Sequence, residues 1–286
     1  MNAAFLAWLA ANRDRRVLGY LHYMEPHDPY VPPRDGRRPP PAGIRSAVAA
    51  GWIRDIANHV TFDNTGHLSE AELAWVRSLY DGEVQGWDET FRALLAGLDA
   101  LGLRESTVLV ITADHGEEFQ EHGRLAHGSQ LYEETLHVPL VLAGPGIAPG
   151  RRTDLAQGID LFPTLTALLG LAAPTALPGR NLLAGVADRP AVSETARGVG
   201  ADGSSLDLIA VREGDWKLIR TPAIDRSELY DLAQDPTEHA NRAGAPPGDT
   251  LATLLAGWQA SVPRAAPPTG QDPSFRAKLR ALGYVE

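Results

Sequence analysis

The sequence predicts an α/β fold. Residues 1–185 read as a partial, doubly wound, mostly parallel sheet, and residues 186–286 as a small antiparallel sheet-plus-helix unit. Three observations carry this. Residues 17–24, 108–111 and 138–142 are continuous apolar runs, as in strands buried on both faces. Helical patterns separate them, as crossovers between parallel strands require. After about Pro190 the runs shorten and alternate apolar with polar residues, the mark of half-buried antiparallel strands.

The elements follow in order. Phe5, Leu6, Trp8 and Leu9 fit an amphipathic opening helix. It is too short to span a membrane, and its charges (Arg13, Asp14, Arg15, Arg16) follow the apolar run, whereas a secretory leader carries them in front. No other stretch approaches ~18 apolar residues, so the sequence shows no membrane segment and no visible address. The strand at 17–24 ends in Glu25-Pro26-His27-Asp28-Pro29-Tyr30, and a Pro-rich surface loop runs to Pro41. Residues 45–68 read as a short helix and a loop. Ser69 with Glu72 three residues on forms a capping box for a helix reaching about Ala100, where Gly102 stops it. The strand at 108–111 runs into Asp114-His115-Gly116. In the strand at 138–142, Pro139 marks a strand start or a sheet edge. A helix spans 160–169, closed by Gly170. Short strands follow at 191–195, 207–212, 216–220 and 228–232, with Gly214-Asp215 as a hairpin turn, then helices at 249–260 and 274–282.

Composition excludes several classes. The formal net charge of −10 gives no basic footprint for nucleic acid. With no cysteine there are no disulfides, thiolate metal sites or cysteine nucleophile. Lys217 and Lys278 are the two lysines, which argues against a lysine nucleophile. Gly 28 and Pro 22 imply many long loops.

Three segments can carry chemistry. Asp114 and His115 stand at a strand's carboxyl end, where open α/β sheets bind ligands, and Gly116 permits the sharp turn there. A carboxylate beside an imidazole suits Ca, Mg, Mn or Zn; the alternative is a turn cap and a backbone-bonded histidine. His27 lies between prolines that hold its backbone extended, so its ring can donate to an anion or protonate a leaving oxygen. It can equally be an ordinary loop histidine. In Glu121-His122-Gly123-Arg124-Leu125-Ala126-His127-Gly128, His127 can swing over an ion or anion, whereas His122 reads as structural. Glu117 and Glu118 read as caps of the next turn that would repel an anion if they faced it, and Asp28 as serving its own turn.

Together these segments resemble the sulfatase family of the alkaline-phosphatase-like hydrolases. The resemblance rests on residues 21–30 with their PHxPY pattern, on Leu79-Tyr80-Asp81-Gly82-Glu83-Val84 opening a long helix, and on Val110-Ile111-Thr112-Ala113-Asp114-His115-Gly116-Glu117. It extends through His127-Gly128-Ser129-Gln130-Leu131-Tyr132-Glu133-Glu134-Thr135 with Val138-Pro139-Leu140, and to the tail at residues 279–285. It implies that Asp114 and His115 bind a divalent cation, calcium first, and that the catalytic His27 and His127 contact the sulfate group or its bridging oxygen. The implied substrate is a small-molecule or glycan sulfate ester. Some relatives have Asn where His115 stands, and those with His include phosphonate- and phosphodiester-cleaving members. His137 stands where the family often has Arg.

The family's acidic pair and its Cys/Ser-x-Pro-x-Arg nucleophile, which is oxidised to formylglycine, are not found here. Ser261-Val262-Pro263-Arg264 is a superficial match late in the chain, and Asp63-Asn64 a loop pair. The expectation is therefore an N-terminally incomplete sulfuric ester hydrolase that does not turn over substrate alone. A phosphonate or phosphate ester hydrolase and a non-catalytic remnant stand as alternatives.

Overall fold

The computed structural model describes residues 1–33, 39–49, 51, 53, 67–172, 177–185, 189–199 and 205–262. Helix α1 (Asn2–Ala11) lies against the long helix α3 (Glu70–Ala100), and the short α2 (Ser46–Ala49) also packs on α3. A side chain at Gly97 would collide with Leu6, so glycine there lets α1 sit close. Leu9 is the buried residue of α1 and Trp8 stays exposed.

The start of α3 follows the sequence reading. Ser69 Oγ accepts the Glu72 N–H at 3.3 Å, and the Glu72 carboxylate accepts the Ser69 N–H at 3.0 Å. Two backbone donors that a helix start leaves open are thereby satisfied. Arg45 Nε also donates to Glu72 at 2.6 Å, and this bond more than any other lowers the carboxyl pKa to about 2. Trp75, Val76 and Leu79 of α3 share a core with Tyr30, Leu68, Phe119 and Leu125. Burying each such side chain contributes roughly 1.5–3 kcal/mol relative to leaving it in water.

The sheet of the first part departs from expectation. Strand β1 (Leu109–Thr112) pairs with β4 (Leu140–Ala143) antiparallel, with Ile111 opposite Val141. Every ladder among the described residues is antiparallel. Residues 17–24 form no ladder, and Leu18 and Tyr20 are exposed. An apolar run reports a surface suited to a strand, not the direction of the strand beside it. The run at 108–111 was also expected to be buried on both faces, yet β1 and β4 are only half-buried. Pro139 has no N–H to donate, and β4 begins after it. A two-residue hairpin, β2 (Glu118–Phe119) with β3 (Leu125–Ala126), and the short helix α4 (Glu133–Leu136) lie between β1 and β4. Helix α5 (Leu161–Leu168) follows β4. Buried Asp160 precedes it, accepting the N–H groups of Gln157 and Arg180 and pairing with Arg189.

The second sheet is antiparallel, as expected, and is a meander: β5 (Ala191–Val199), β6 (Ser205–Glu213), β7 (Trp216–Thr221) and β8 (Arg226–Asp231), in that order. Gly214, at φ +57°, turns β6 into β7. Alternation assigns the two faces. Leu208, Ala210, Ile219 and Tyr230 pack against Leu131 and Tyr132, while Ile209, Val211, Leu218 and Leu229 pack against helix α6 (Gly248–Ser261). The expected helix at 274–282, the tail at 279–285, Asp63-Asn64 and Pro263 onward lie outside the described residues.

Candidate functional site

The loop bearing His27 is held from several sides. Tyr30 is fully buried, edge-on to Tyr80 at 5.5 Å and near Phe119. The buried Glu83 carboxylate of α3 accepts the Val31 N–H at 2.6 Å. Asp28 Oδ1 accepts the Ile53 N–H at 2.9 Å, a contact 25 residues along the chain rather than within its own turn. The backbone at His27 is a turn rather than the extended segment expected: its N–H reaches Met24 O at 2.7 Å, and the bonds before Pro26 and Pro29 are cis. His27 Nδ1 donates to the Asp28 carbonyl at 2.7 Å. A carbonyl only accepts, so this bond leaves Nε2 as the outward nitrogen.

At the end of β1, Gly116 passes so close to α4 that a Cβ there would collide with the Glu134 carbonyl oxygen. The N–H groups of Gly116 and Glu117 donate to Thr135 O and Glu134 O at 2.8 and 2.9 Å. His115 Nδ1 donates to Gly116 O at 2.8 Å, again freeing Nε2, which lies 3.7 Å from Asp114 Oδ1.

His127 sits between Ala126 at φ +69° and Gly128 at φ +90°. A left-handed alanine costs about 1–2 kcal/mol, so the backbone beside His127 is strained. Thr195 Oγ1 of β5 donates to Gly128 O at 2.7 Å, tying this loop to the second sheet. Leu131 and Tyr132 lie in the core beneath that sheet.

The structure brings the three histidines together. Ring centroids of His115 and His127 are 3.7 Å apart, of His27 and His127 5.3 Å, and of His27 and His115 6.3 Å. Asp114, beside His115, completes the sequence-derived set. His137 is largely exposed, 4.0 Å from Glu133.

One of the two glutamates read as turn caps has another role. Glu118 does cap a turn, accepting the N–H groups of His122 and Arg124 at 3.0 and 2.8 Å. Glu117 does not. Its buried carboxylate accepts His127 Nδ1–H at 2.9 Å and the Tyr30 hydroxyl at 2.7 Å. Burial first, then the Glu117 charge, pushes the Tyr30 pKa far up, so its hydroxyl stays a donor. The signal available was Tyr30 itself, an aromatic anchor with a polar tip that must find a partner when buried.

Glu118, His122 and Glu134 also bring three donor atoms within 4.8 Å of one another. Yet His122 Nδ1 faces Glu134 Oε1 at 2.6 Å and Nε2 faces Glu238 O at 3.1 Å. Burial opposes its protonation, but these two bonds outweigh that and raise its pKa. Both ring nitrogens of His122 thus face protein acceptors, which gives the ring a structural role between Glu134 and Glu238.

Residues 2–171 match the family model described as Sulfatase, and residues 121–257 the one described as N-sulphoglucosamine sulphohydrolase, C-terminal. Choline-sulfatase of Rhizobium meliloti (strain 1021) is 32% identical over 196 residues, covering 66% of this chain and 37% of that protein. Arylsulfatase K of Mus musculus is 29% identical over 204 residues, covering 66% and 36%. The chain thus spans little more than a third of these curated relatives. Among solved structures, the phosphonate monoester hydrolase SpPMH from Silicibacter pomeroyi superposes with a TM-score of 0.70 at 23% identity, over 91% of this chain and 58% of that one. BT4656 in complex with its substrate D-glucosamine-2-N,6-O-disulfate gives 0.59 at 25% identity, over 76% and 48%. These likenesses place the chain in the alkaline-phosphatase-like fold. No helix among the described residues is long and apolar enough to cross a membrane.

Proposed function

Because this chain belongs to the sulfatase family, we propose that residues 25–30, 114–117 and 127–128 are the cation- and anion-binding part of a sulfuric ester hydrolase site. The convergence of His27, His115 and His127, each with Nδ1 bonded to the protein, is the observation that carries this reading. Asp114 and His115 are the proposed cation ligands. The donor set fits: a carboxylate oxygen and an imidazole Nε2 3.7 Å apart, the Nδ1 anchored to a carbonyl as metal-bound histidines usually are. A hard divalent ion, with calcium favoured and magnesium, manganese or zinc as alternatives, would hold and polarise the anionic ester. These ions take about six ligands, so two protein ligands imply weak binding.

His27 and His127 are the proposed contacts to the sulfate oxygens. A protonated imidazole with Nδ1 already engaged presents Nε2–H outward, where it can donate to the bridging oxygen as the ester breaks. Such general acid help contributes on the order of 10²–10⁴-fold. No residue of this chain is assigned as nucleophile: the sequence has no cysteine, and Ser261-Val262-Pro263-Arg264 is only a superficial match to the serine form of the motif. The substrate class proposed is a small-molecule or glycan sulfate ester, in keeping with the glucosamine disulfate held by BT4656. A phosphonate or phosphate ester is the second reading, favoured by His115 in place of Asn.

Calorimetry with an aryl sulfate and, separately, phenylphosphonate tests both readings. Binding of the sulfate that requires Ca²⁺ and weakens in Asp114→Ala and His127→Ala supports the first. Tighter cation-dependent binding of the phosphonate supports the second, and cation-independent binding of either contradicts both.

A further inference from the structure

We propose that Glu117 is a positioning residue for His127, locked in place by Tyr30. The loop of residues 25–30 and the strand end at 114–117 would then jointly aim one imidazole nitrogen into the site. Its functional consequence rests on the reading above; its structural content does not.

The geometry is a short relay. The Tyr30 hydroxyl donates to Glu117 Oε2 at 2.7 Å, and Glu117 Oε1 accepts His127 Nδ1–H at 2.9 Å. Both carboxylate oxygens are thereby engaged. The Glu117 side chain is only 5% exposed, and burying a carboxylate is costly unless it is well hydrogen-bonded. Its backbone is pinned to Glu134, and its neighbour Gly116 to Thr135. On the other side, Thr195 holds Gly128. With both backbones fixed, what remains free at His127 is the rotation of its ring and the placement of one proton. Glu117 determines both. A carboxylate facing Nδ1 requires the hydrogen there and leaves Nε2 as the other nitrogen of a ring stacked on His115 and edge-on to His27. Imidazole free in water prefers the opposite tautomer, with the hydrogen on Nε2, so the relay works against the intrinsic preference. A glutamate that merely capped a turn would impose no such choice.

Tyr30 adds a second consequence. Its ring belongs to the core with Trp75, Leu79 and Phe119, so the orientation of His127 is referred to the packed base of α3 rather than to a mobile loop. The same residue anchors the loop bearing His27, so both imidazoles share one support.

Long-range ¹H–¹⁵N spectra of ¹⁵N-histidine-labelled protein, recorded across an alkaline pH series, distinguish the Nδ1–H, Nε2–H and doubly protonated forms of each ring directly. We expect His127 to carry its hydrogen on Nδ1 in the wild type and in Glu117→Gln, whose amide oxygen still accepts. In Glu117→Ala we expect at least a severalfold shift toward the Nε2–H form, with unchanged far-ultraviolet dichroism. An Nε2–H wild type overturns the proposal outright. So does a Glu117→Ala protein that folds and keeps the wild-type tautomer. If Glu117→Ala does not fold, the wild-type and Glu117→Gln spectra decide alone. Failure of Ca²⁺ or sulfate ester binding would remove the functional reading and leave this result standing, so the two fail separately.

Discussion

Lys217→Met should destabilise the seat of the His127 loop more than most single substitutions. Lys217 lies on β7 on the face turned toward α4, and it is 1% exposed. Its Nζ stands 2.9 Å from Glu133 Oε1 and 2.8 Å from Glu238 Oε1. Glu133 opens α4, five residues after Gly128, and donates its N–H to Glu238 at 2.6 Å. Removing the ammonium leaves two carboxylates facing each other in a buried site. Breaking a buried pair costs about 3–5 kcal/mol. Two features pull the estimate to the lower end, near ~3 kcal/mol. Arg212 still holds Glu133 Oε2 at 2.8 Å, and burial already raises the Glu238 pKa, so Glu238 can neutralise by taking a proton. At roughly 2–4 °C per kcal/mol for a protein of this size, Tm should fall by about 6–12 °C. Circular dichroism melts near pH 8 measure it. The deficit should shrink near pH 5, where Glu238 is protonated more easily, and Lys217→Met/Glu238→Gln should recover about half of it. A single variant melting within about 2 °C of wild type would refute the reasoning, as would a double variant less stable than the single.

Other perturbations read different parts of the structure. The Glu72 carboxyl is held at about 2, chiefly by Arg45, so its contribution is complete above pH ~4.5 and lost as pH falls toward 2. Arg45 is half-exposed and solvent screens the pair, so about 1–2 kcal/mol should disappear over that window in urea melts, and Glu72→Gln should flatten the change. His122 has a raised pKa, so its contribution is complete below pH ~6.5 and declines as pH climbs through the raised value. His122→Gln should abolish that decline above about pH 6.5, and a wild-type stability that rises there on account of His122 would contradict the upward shift. With excess Ca²⁺ and an aryl sulfate, this chain should stay at background turnover; cation-dependent turnover abolished by Asp114→Ala would reveal a nucleophile not identified here.

Local chemistry was legible in the sequence wherever one segment decides the outcome. Ser69 and Glu72 specify a helix start through bonds within four residues, and Gly214 specifies a hairpin. The alternation of Leu208, Ile209, Ala210 and Val211 assigns the two faces of β6 before any partner is known. Asp114, His115 and His127 were legible singly because each stands beside a strand end or a glycine turn; their grouping with His27 came from the family resemblance. Strand direction was not, because an apolar run such as 108–111 looks alike in a parallel and an antiparallel ladder. The Glu117 contacts were missed because both partners, Tyr30 and His127, come from elsewhere in the chain, and periodicity carries no information about such distant pairs. Likewise, Lys217 reads as an ordinary strand lysine until Glu133 and Glu238 are placed beside it.

The central claim is that Asp114, His115, His27 and His127 share one cation- and anion-binding site. Substoichiometric Mn²⁺ added to the histidine-labelled chain tests it most directly, because paramagnetic broadening registers even weak binding and reports where the ion sits. The account predicts that the ring signals of His115, His127 and His27 broaden first, that those of His122, His137 and His239 persist, and that Asp114→Ala removes the difference. Broadening centred on His122, between Glu118 and Glu134, would contradict it.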